Sequence, residues 1–381
     1  MSASSSVRGS RVTVVFVLAD MSGGGAERTF LNIINHLDRD RFRPIVAMLR
    51  REGPLLESLE ADTQVVELGC VSARSAVPRL ARLIRKRHPD ILVSTIRYVN
   101  VATVVGAMLA GRSAPVVVRE TNNLTAAGID AHDLKERLVG WSYRRARKVV
   151  ALSNGVRDDV TVRYGLSPDH VVTIYNPLDL ATIRRLAAKP VDSSDYVASV
   201  SDSEVFNIVA AGRLTRQKGF DLLIRAVASL KRLPLRLWIL GDGPDRCALE
   251  TLAEALEVAD RVRLPGFQTN PYAWMKSAKL FVLSSRWEGF GHVVAEAMAC
   301  GVPVLATRCP SGPAEIVNHG VDGRLCSPDS APALAEDIEK MWGEEDKRRL
   351  QAVRARASVE RFDVNVIVRQ YEQVLIDSCA A

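Results

Sequence analysis

Aromatic residues are scarce in this 381-residue chain: Phe, Trp and Tyr make up 6% of it. A surface that stacks on nucleobases needs aromatic platforms set among its cations, and no such interleaving is present. No nucleic-acid partner is expected. The six cysteines, Cys70, Cys247, Cys300, Cys309, Cys326 and Cys379, are scattered, without a Cys-x-x-Cys pair or a metal-ligand spacing. Thiols used in this way suit a reducing cytosol. No run approaches the ~18 apolar residues of a spanning helix. Residues 1–10 are polar and Ser-rich, so no signal peptide is expected. The expected place is therefore the cytoplasm, with any membrane contact peripheral. The dinucleotide fingerprint Gly-x-Gly-x-x-Gly is missing too, because Ser22-Gly23-Gly24-Gly25-Ala26-Glu27-Arg28 ends on Arg28. That argues against a nicotinamide dehydrogenase.

What is present is ordinary for a soluble globular chain: 47% apolar and 25% charged residues. The length suits two domains, each with its own core. The formal charge of +7 is unevenly placed. Residues 1–180 carry 25 Lys/Arg against 18 Asp/Glu, whereas residues 181–381 carry 26 against 26.

Val12, Val14, Val15, Phe16, Val17 and Leu18 form a continuous apolar run, as expected of a parallel strand buried on both faces. The glycine loop at 22–28 follows, and then a helical pattern. Strands alternate with helices up to a strand at 171–175. Asn176-Pro177-Leu178-Asp179 breaks the series, and the polar, Ser/Asp-rich residues 189–203 read as linker. A second β-α series starts at Phe206. Alternation of this kind predicts an α/β fold with parallel sheets covered on both faces. The boundaries read as a first domain at 1–180, a linker at 181–204 and a second domain at 205–363. An amphipathic terminal helix is expected at about 364–376, within a last segment of 364–381.

The richest stretch is Arg286-Trp287-Glu288-Gly289-Phe290-Gly291-His292-Val293-Val294-Ala295-Glu296, followed by Ala297-Met298-Ala299-Cys300-Gly301-Val302-Pro303-Val304. It reads as loop, helix from about His292 to Cys300, stop at Gly301, and strand. The helix start offers free N–H groups and partial positive charge, which suit a phosphate. His292 reads as a surface residue there. A second loop, Gly212-Arg213-Leu214-Thr215-Arg216-Gln217-Lys218-Gly219, follows the first strand of the second half. Arg213 and Lys218 could hold a diphosphate and stabilise its charge as it leaves. Asp242, in Leu240-Gly241-Asp242-Gly243-Pro244, reads as a turn residue.

These two motifs resemble the signature of the retaining GT-B glycosyltransferases of family 4, and the resemblance covers nearly the whole chain. It implies two Rossmann-like, doubly wound domains facing a central cleft. The first would bind the acceptor and the second a nucleoside-diphosphate sugar, while the terminal segment crosses back to the first. It gives Arg213 and Lys218 to the donor pyrophosphate and Glu296 to the ribose hydroxyls. Glu288 falls near the transferred sugar. Backbone of Gly289, Phe290 and Gly291, the loop at Phe267, and Gly24 and Gly25 would complete the donor site. No cofactor is implied, and no metal, since no Asp-x-Asp lies at a plausible strand end. Bacterial relatives often act on lipid-linked glycans in polysaccharide synthesis, from the cytoplasmic face of the membrane.

Relatives often place a His after the strand at 116–118, where this chain has Arg119-Glu120-Thr121-Asn122-Asn123. Glu120 and Asn122 are the acceptor-side candidates, with strand-end capping as the alternative role. His132 lies nearby, in an expected loop. Basic residues interleave with Leu, Trp and Tyr at 133–148, beside a second basic helix at 77–87. That pattern suits an interfacial helix on anionic lipid as well as an ordinary helix with a charged outer face. A non-catalytic sugar-nucleotide-binding protein on the same fold is the alternative function. The sequence leaves the sugar, the base and the acceptor open.

Overall fold

The computed structural model describes residues 11–111, 114–131 and 133–380. His132 and the Ser-rich residues 1–10 lie outside them. The first sheet consists of β1 (Val12–Leu18), β2 (Phe42–Met48), β3 (Gln64–Glu67), β4 (Ile91–Thr95), β5 (Val116–Glu120), β6 (Lys148–Ala151) and β7 (Val171–Thr173). Between and after these run α1 (Gly25–His36), α2 (Ala73–Arg87), α3 (Arg97–Leu109), α4 (Leu134–Arg145), α5 (Asn154–Tyr164), α6 (Leu180–Ala187) and α7 (Ser194–Ser201). The second half opens with β8 (Phe206–Ala211), α8 (Phe220–Ser229), β9 (Leu235–Leu240), α9 (Arg246–Ala255), β10 (Val262–Gly266) and α10 (Pro271–Ser277). It continues with β11 (Leu280–Leu283), α11 (His292–Cys300), β12 (Val304–Thr307), α12 (Pro313–Ile316) and β13 (Arg324–Cys326). The helices α13 (Ala331–Gly343), α14 (Glu345–Ser358) and α15 (Val364–Ala380) end the chain.

Both sheets are parallel throughout. Their orders are β3-β2-β1-β4-β5-β6-β7 and β10-β9-β8-β11-β12-β13. The apolar runs are the reason: Val14 to Leu18 are wholly buried because helices cover both faces of the sheet. α2, α3, α4 and α5 close one face of the first sheet, and α1 with α15 closes the other.

The stretch read as linker is structured. α6 and α7 occupy most of it and pack on the second domain. Tyr196 is the anchor: its ring meets Trp238 and Trp274, and its hydroxyl donates to the Trp274 carbonyl at 2.5 Å. The Ser residues that suggested a linker are partly helix caps, since Ser193 accepts from the Tyr196 N–H, and Asp179 of the preceding break caps α6 by accepting from the Thr182 N–H.

The chain crosses between the domains twice, side by side. The Leu178 N–H donates to the Phe362 carbonyl at 2.9 Å, and the Val364 N–H to Leu178 at 2.9 Å. α15 then packs against the first domain through Ile367, Val368, Tyr371 and Leu375, beside Phe30, Ile33 and Ile34 of α1. Its Glu372 accepts the Asp38 N–H at 2.8 Å.

Candidate active site

In each sheet the strand order reverses beside the first strand, between β1 and β4 and between β8 and β11. Loops leave in opposite directions there and open a crevice beyond the C-terminal strand ends. Residues 212–219 follow β8 and residues 284–291 follow β11, so the two motifs singled out in the sequence meet at the second crevice.

They meet through an ion pair. Lys218 Nζ donates to Glu288 Oε1 at 2.6 Å, and Ser285 Oγ donates to the same oxygen at 2.7 Å. Both side chains of the pair are largely buried. The Lys218 ammonium has three N–H donors, so two remain for a ligand. Backbone stitches the loops together: Ser284 Oγ donates to the Lys218 carbonyl, and the Arg286 N–H to Gln217 at 2.8 Å. Arg286 forks onto Asp221 with two bonds of 2.8 Å. Those bonds hold the Asp221 carboxyl below its ordinary range. Gly219 has φ +63°, and a Cβ there would stand 2.2 Å from the Ser284 carbonyl oxygen, so this loop junction requires glycine. Arg213 is exposed at the start of the loop, and its guanidinium bonds to no described residue. Asp242 bonds the next N–H in its turn, as read.

α11 begins at Gly291, with φ +90°, and ends at Gly301, with φ +76°. Glu296, one turn in, accepts from Tyr272 Oη at 3.2 Å through Oε1. Its negative charge, followed by burial, pushes the Tyr272 hydroxyl pKa up. The expectation of a surface His292 is corrected. Its ring is mostly buried, 3.6 Å from Glu296 through Nε2, and its Nδ1 has no partner. Burial lowers its pKa. Phe290 is buried as well, edge-on to Phe362 at 5.2 Å and near Tyr175 at 5.7 Å. Only its backbone is available to a ligand. Phe267 stands exposed just past β10.

The first domain supplies the opposite wall. Gly24 caps α1, and Gly25 starts it with nothing within 4 Å of an added Cβ. Arg28 of the same helix lies close enough to Tyr272 and His292 for its charge to act on both. Thr121 and Asn122 reach across to Gly289, where a Cβ would stand 2.0 Å from the Thr121 carbonyl oxygen. Asn122 is exposed at that edge. Glu120 takes the capping role. Its Oε1 accepts the N–H groups of Thr121 at 2.7 Å and Asn122 at 3.1 Å, and its Oε2 the Tyr143 hydroxyl at 2.8 Å. Burial raises its pKa. Glu120 thus fills the alternative role of strand-end cap and orients the loop that carries Asn122, and with Asn122 it borders the cavity at the β1/β4 crevice.

A further contact joins the domains. Glu315 of α12 accepts from the N–H groups of Asn154 at 2.8 Å and Gly155 at 3.0 Å, at the start of α5, and from Tyr175 Oη at 3.0 Å. Sequence reasoning missed Glu315, Tyr272, Arg28 and Ser285. Only Ser285, three residues before Glu288, had a local signal. The others reach the cleft from distant segments.

The assembled site can hold an anion between Lys218 and the start of α11, with Glu288 and Glu296 beside it as hydrogen-bond acceptors. Among the described residues no group of three or more His, Cys, Asp or Glu is placed to hold a metal ion.

Comparison with known proteins agrees with this layout. Residues 196–358 match the family Glycosyl transferases group 1, and residues 23–182 match Glycosyltransferase Family 4. The lipopolysaccharide core biosynthesis glycosyltransferase LpsD of Rhizobium meliloti is 33% identical over 355 residues, spanning 91% of this chain and 94% of that protein. An N-acetylgalactosaminyltransferase of Campylobacter jejuni, acting by its name on a diphospho-undecaprenol-linked sugar, is 29% identical over 63% of this chain and 62% of its own length. The crystal structure of Anabaena HepE in complex with UDP superposes with a TM-score of 0.81, at 25% identity, over 96% of this chain and all of that one. With two facing parallel sheets, a charged crevice where both motifs converge, and relatives spanning nearly its whole length, this chain belongs to the group 1 glycosyltransferases of the GT-B fold.

Proposed function

We propose that the protein is a retaining, metal-independent glycosyltransferase that moves a hexosyl group from a UDP-sugar to a hydroxyl of a lipid-linked surface-polysaccharide or lipopolysaccharide intermediate. The observation that carries the reading is the Lys218–Glu288 contact at the β8/β11 crevice, facing the start of α11. Lys218, exposed Arg213 and the helix dipole would neutralise a departing diphosphate, which divalent ions do in other sugar transferases. Glu296 would accept the ribose hydroxyls, with Tyr272 fixing its orientation. The reaction runs on one face of the sugar. The bond from C1 to the diphosphate oxygen breaks, the acceptor oxygen bonds to C1 from the same side, and its proton passes to the departing diphosphate. Glu288, held by Lys218 and Ser285, orients the sugar and is not consumed.

UDP as the nucleotide is supported by the HepE complex, and the acceptor class by the names of the Rhizobium and Campylobacter relatives. The deciding experiment is turnover with a panel of UDP-sugars and product analysis by NMR. The anomeric configuration of the donor is expected in the product, and EDTA is expected to leave the rate unchanged. An inverted product rules out the one-face mechanism. Rescue of an EDTA-treated enzyme by manganese or magnesium rules out metal independence, and donor binding without transfer favours a sensor.

Peripheral membrane association belongs to the same proposal. No helix among the described residues is long and apolar enough to cross a bilayer. The outward face of α4 carries exposed Leu134, Lys135, Arg137 and Leu138, with Arg145 4.7 Å from the Trp141 ring. Each Lys or Arg near an anionic surface contributes roughly 1 kcal/mol. Salt-sensitive co-sedimentation with anionic vesicles is expected, and indifference to them at low salt removes this part.

A further inference from the structure

Beside the donor crevice the two domains also meet through a loop that lies outside both sequence motifs. Residues 309–312 lead from β12 into α12, and Ser311 among them has φ +64°. Glycine, and to a lesser degree Asn and Asp, take that conformation readily, whereas serine is strained in it. Strain of this kind persists only where contacts hold it, and it gathers at functional sites. The contacts of Ser311 are with the other domain. Asn123 Nδ2 donates to Ser311 Oγ at 2.9 Å. Ser311 also fills the notch left by Gly155 at the start of α5, where an added Cβ would stand 2.5 Å from Ser311 Oγ and 2.9 Å from its Cα.

Each partner of that bond is tied, within its own domain, to a loop of the cleft. In the second domain the Glu288 N–H donates to the Pro310 carbonyl at 3.4 Å. Gly312, with φ +77°, lies so close to the same loop that a Cβ there would stand 2.2 Å from the Phe290 carbonyl oxygen. In the first domain Asn123 Oδ1 accepts the Ala126 N–H at 2.8 Å, and Asp159 accepts the Leu124 N–H at 2.7 Å. Exposed Asn122 is the chain neighbour of Asn123. The Asn123–Ser311 bond thus links the loop that bears Asn122 to the loop that bears Glu288. Thr121 against Gly289 is a second point of contact between them. One point sets how near two loops come, and a second sets how they are turned.

We propose that Ser311 and Asn123 are positioning residues of the transfer reaction. Neither meets donor or acceptor. Their bond fixes the register of one loop on the other, so that the acceptor oxygen faces C1 from the side of the departing diphosphate. Misplacing reacting atoms by about 1 Å costs about 10²-fold in rate, so a link of this kind acts on turnover. Donor affinity lies outside its reach, because Lys218, Glu288 and Glu296 are held by bonds within the second domain. The assignment rests on the glycosyl-transfer reading given above.

Ser311→Gly in the full chain is the deciding variant, since glycine takes φ +64° without strain and lacks only the side chain that crosses the domains. Its melting temperature is expected to equal or exceed that of the wild type. UDP affinity by calorimetry and donor KM should stay within about twofold, while kcat falls about tenfold, the scale of one hydrogen bond. Asn123→Ala is expected to lower kcat as much, and the double variant no more than either single one, as the two halves of one bond require. Hydrogen exchange adds a readout apart from activity: Ser311→Gly should speed exchange of the Ala126 amide, in the other domain, about threefold or more. Wild-type kcat in Ser311→Gly, a donor KM that rises as kcat falls, or additive losses in the double variant overturns the proposal. If the wild-type chain turns over no donor, exchange decides. Faster exchange at Ala126 then keeps the cross-domain link while the transfer reading falls, and unchanged exchange removes both.

Discussion

The two crevices share a topology and differ in how they are built. At β8/β11 the loops are tied together by an ion pair, a bidentate Arg286–Asp221 fork and backbone contacts that leave no room for a side chain at Gly219. At β1/β4 the loops stand apart around a cavity, and Gly25 looks onto open space. The tight crevice suits a ligand part that never changes, such as a nucleoside diphosphate. The open one leaves room for a bulkier ligand part.

The sharpest way to break this contrast is Lys218→Ala. If the ammonium stabilises the leaving diphosphate, turnover falls by about 10²–10³ while the chain stays folded. Near-normal turnover would remove Lys218 from the chemistry.

Gly289→Ala tests whether the two walls must touch. The added Cβ falls 2.0 Å from the Thr121 carbonyl oxygen, so the domains are pushed apart and turnover is expected to drop about 10²-fold. Gly25→Ala is the counterpart on the open side. It is expected to leave the melting temperature unchanged and to raise only the donor KM, severalfold, because its Cβ meets nothing in the protein. Kinetics beside melting curves separate the two.

Glu315→Ala removes the carboxylate that caps α5 from the other domain. A loss of about 1–2 kcal/mol is expected, the scale of a helix cap. Chemical denaturation measures it, and small-angle scattering should show a wider spread of domain separations.

The smallest effect concerns pH. Burial lowers the His292 pKa, Glu296 opposes, and Arg28, Arg119 and Lys218 act with burial. The folded value thus lies below the unfolded ~6.5. Between the two the unfolded chain binds more protons, so stability falls as pH drops through that window. His292→Gln should flatten this fall, by at most about 1.4 kcal/mol per pH unit. An unchanged slope between pH 5 and 7 would show that His292 does not titrate with folding.

The sequence by itself determined the alternating elements and the two halves of the chain, while the meeting of residues 212–219 with 284–291 was implied only by the family resemblance. The elements and the halves follow from apolar runs, glycine stops and loop composition, which act over a few residues. α11 fell where Gly291 and Gly301 set its ends, for that reason. The helix α7 was hidden because its capping Ser and Asp residues resemble those of a linker, and what decides for helix is the distant Trp238 and Trp274 around Tyr196. Tertiary structure alone decided that Glu120 turns inward to Tyr143, that Phe290 is a core ring, and that Arg28, Tyr272 and Glu315 join the cleft. These contacts pair residues between 23 and 161 positions apart, or from opposite domains. Local pattern has no reach over such distances; only the packing of helices and loops on each sheet, and of one domain on the other, brings the side chains together.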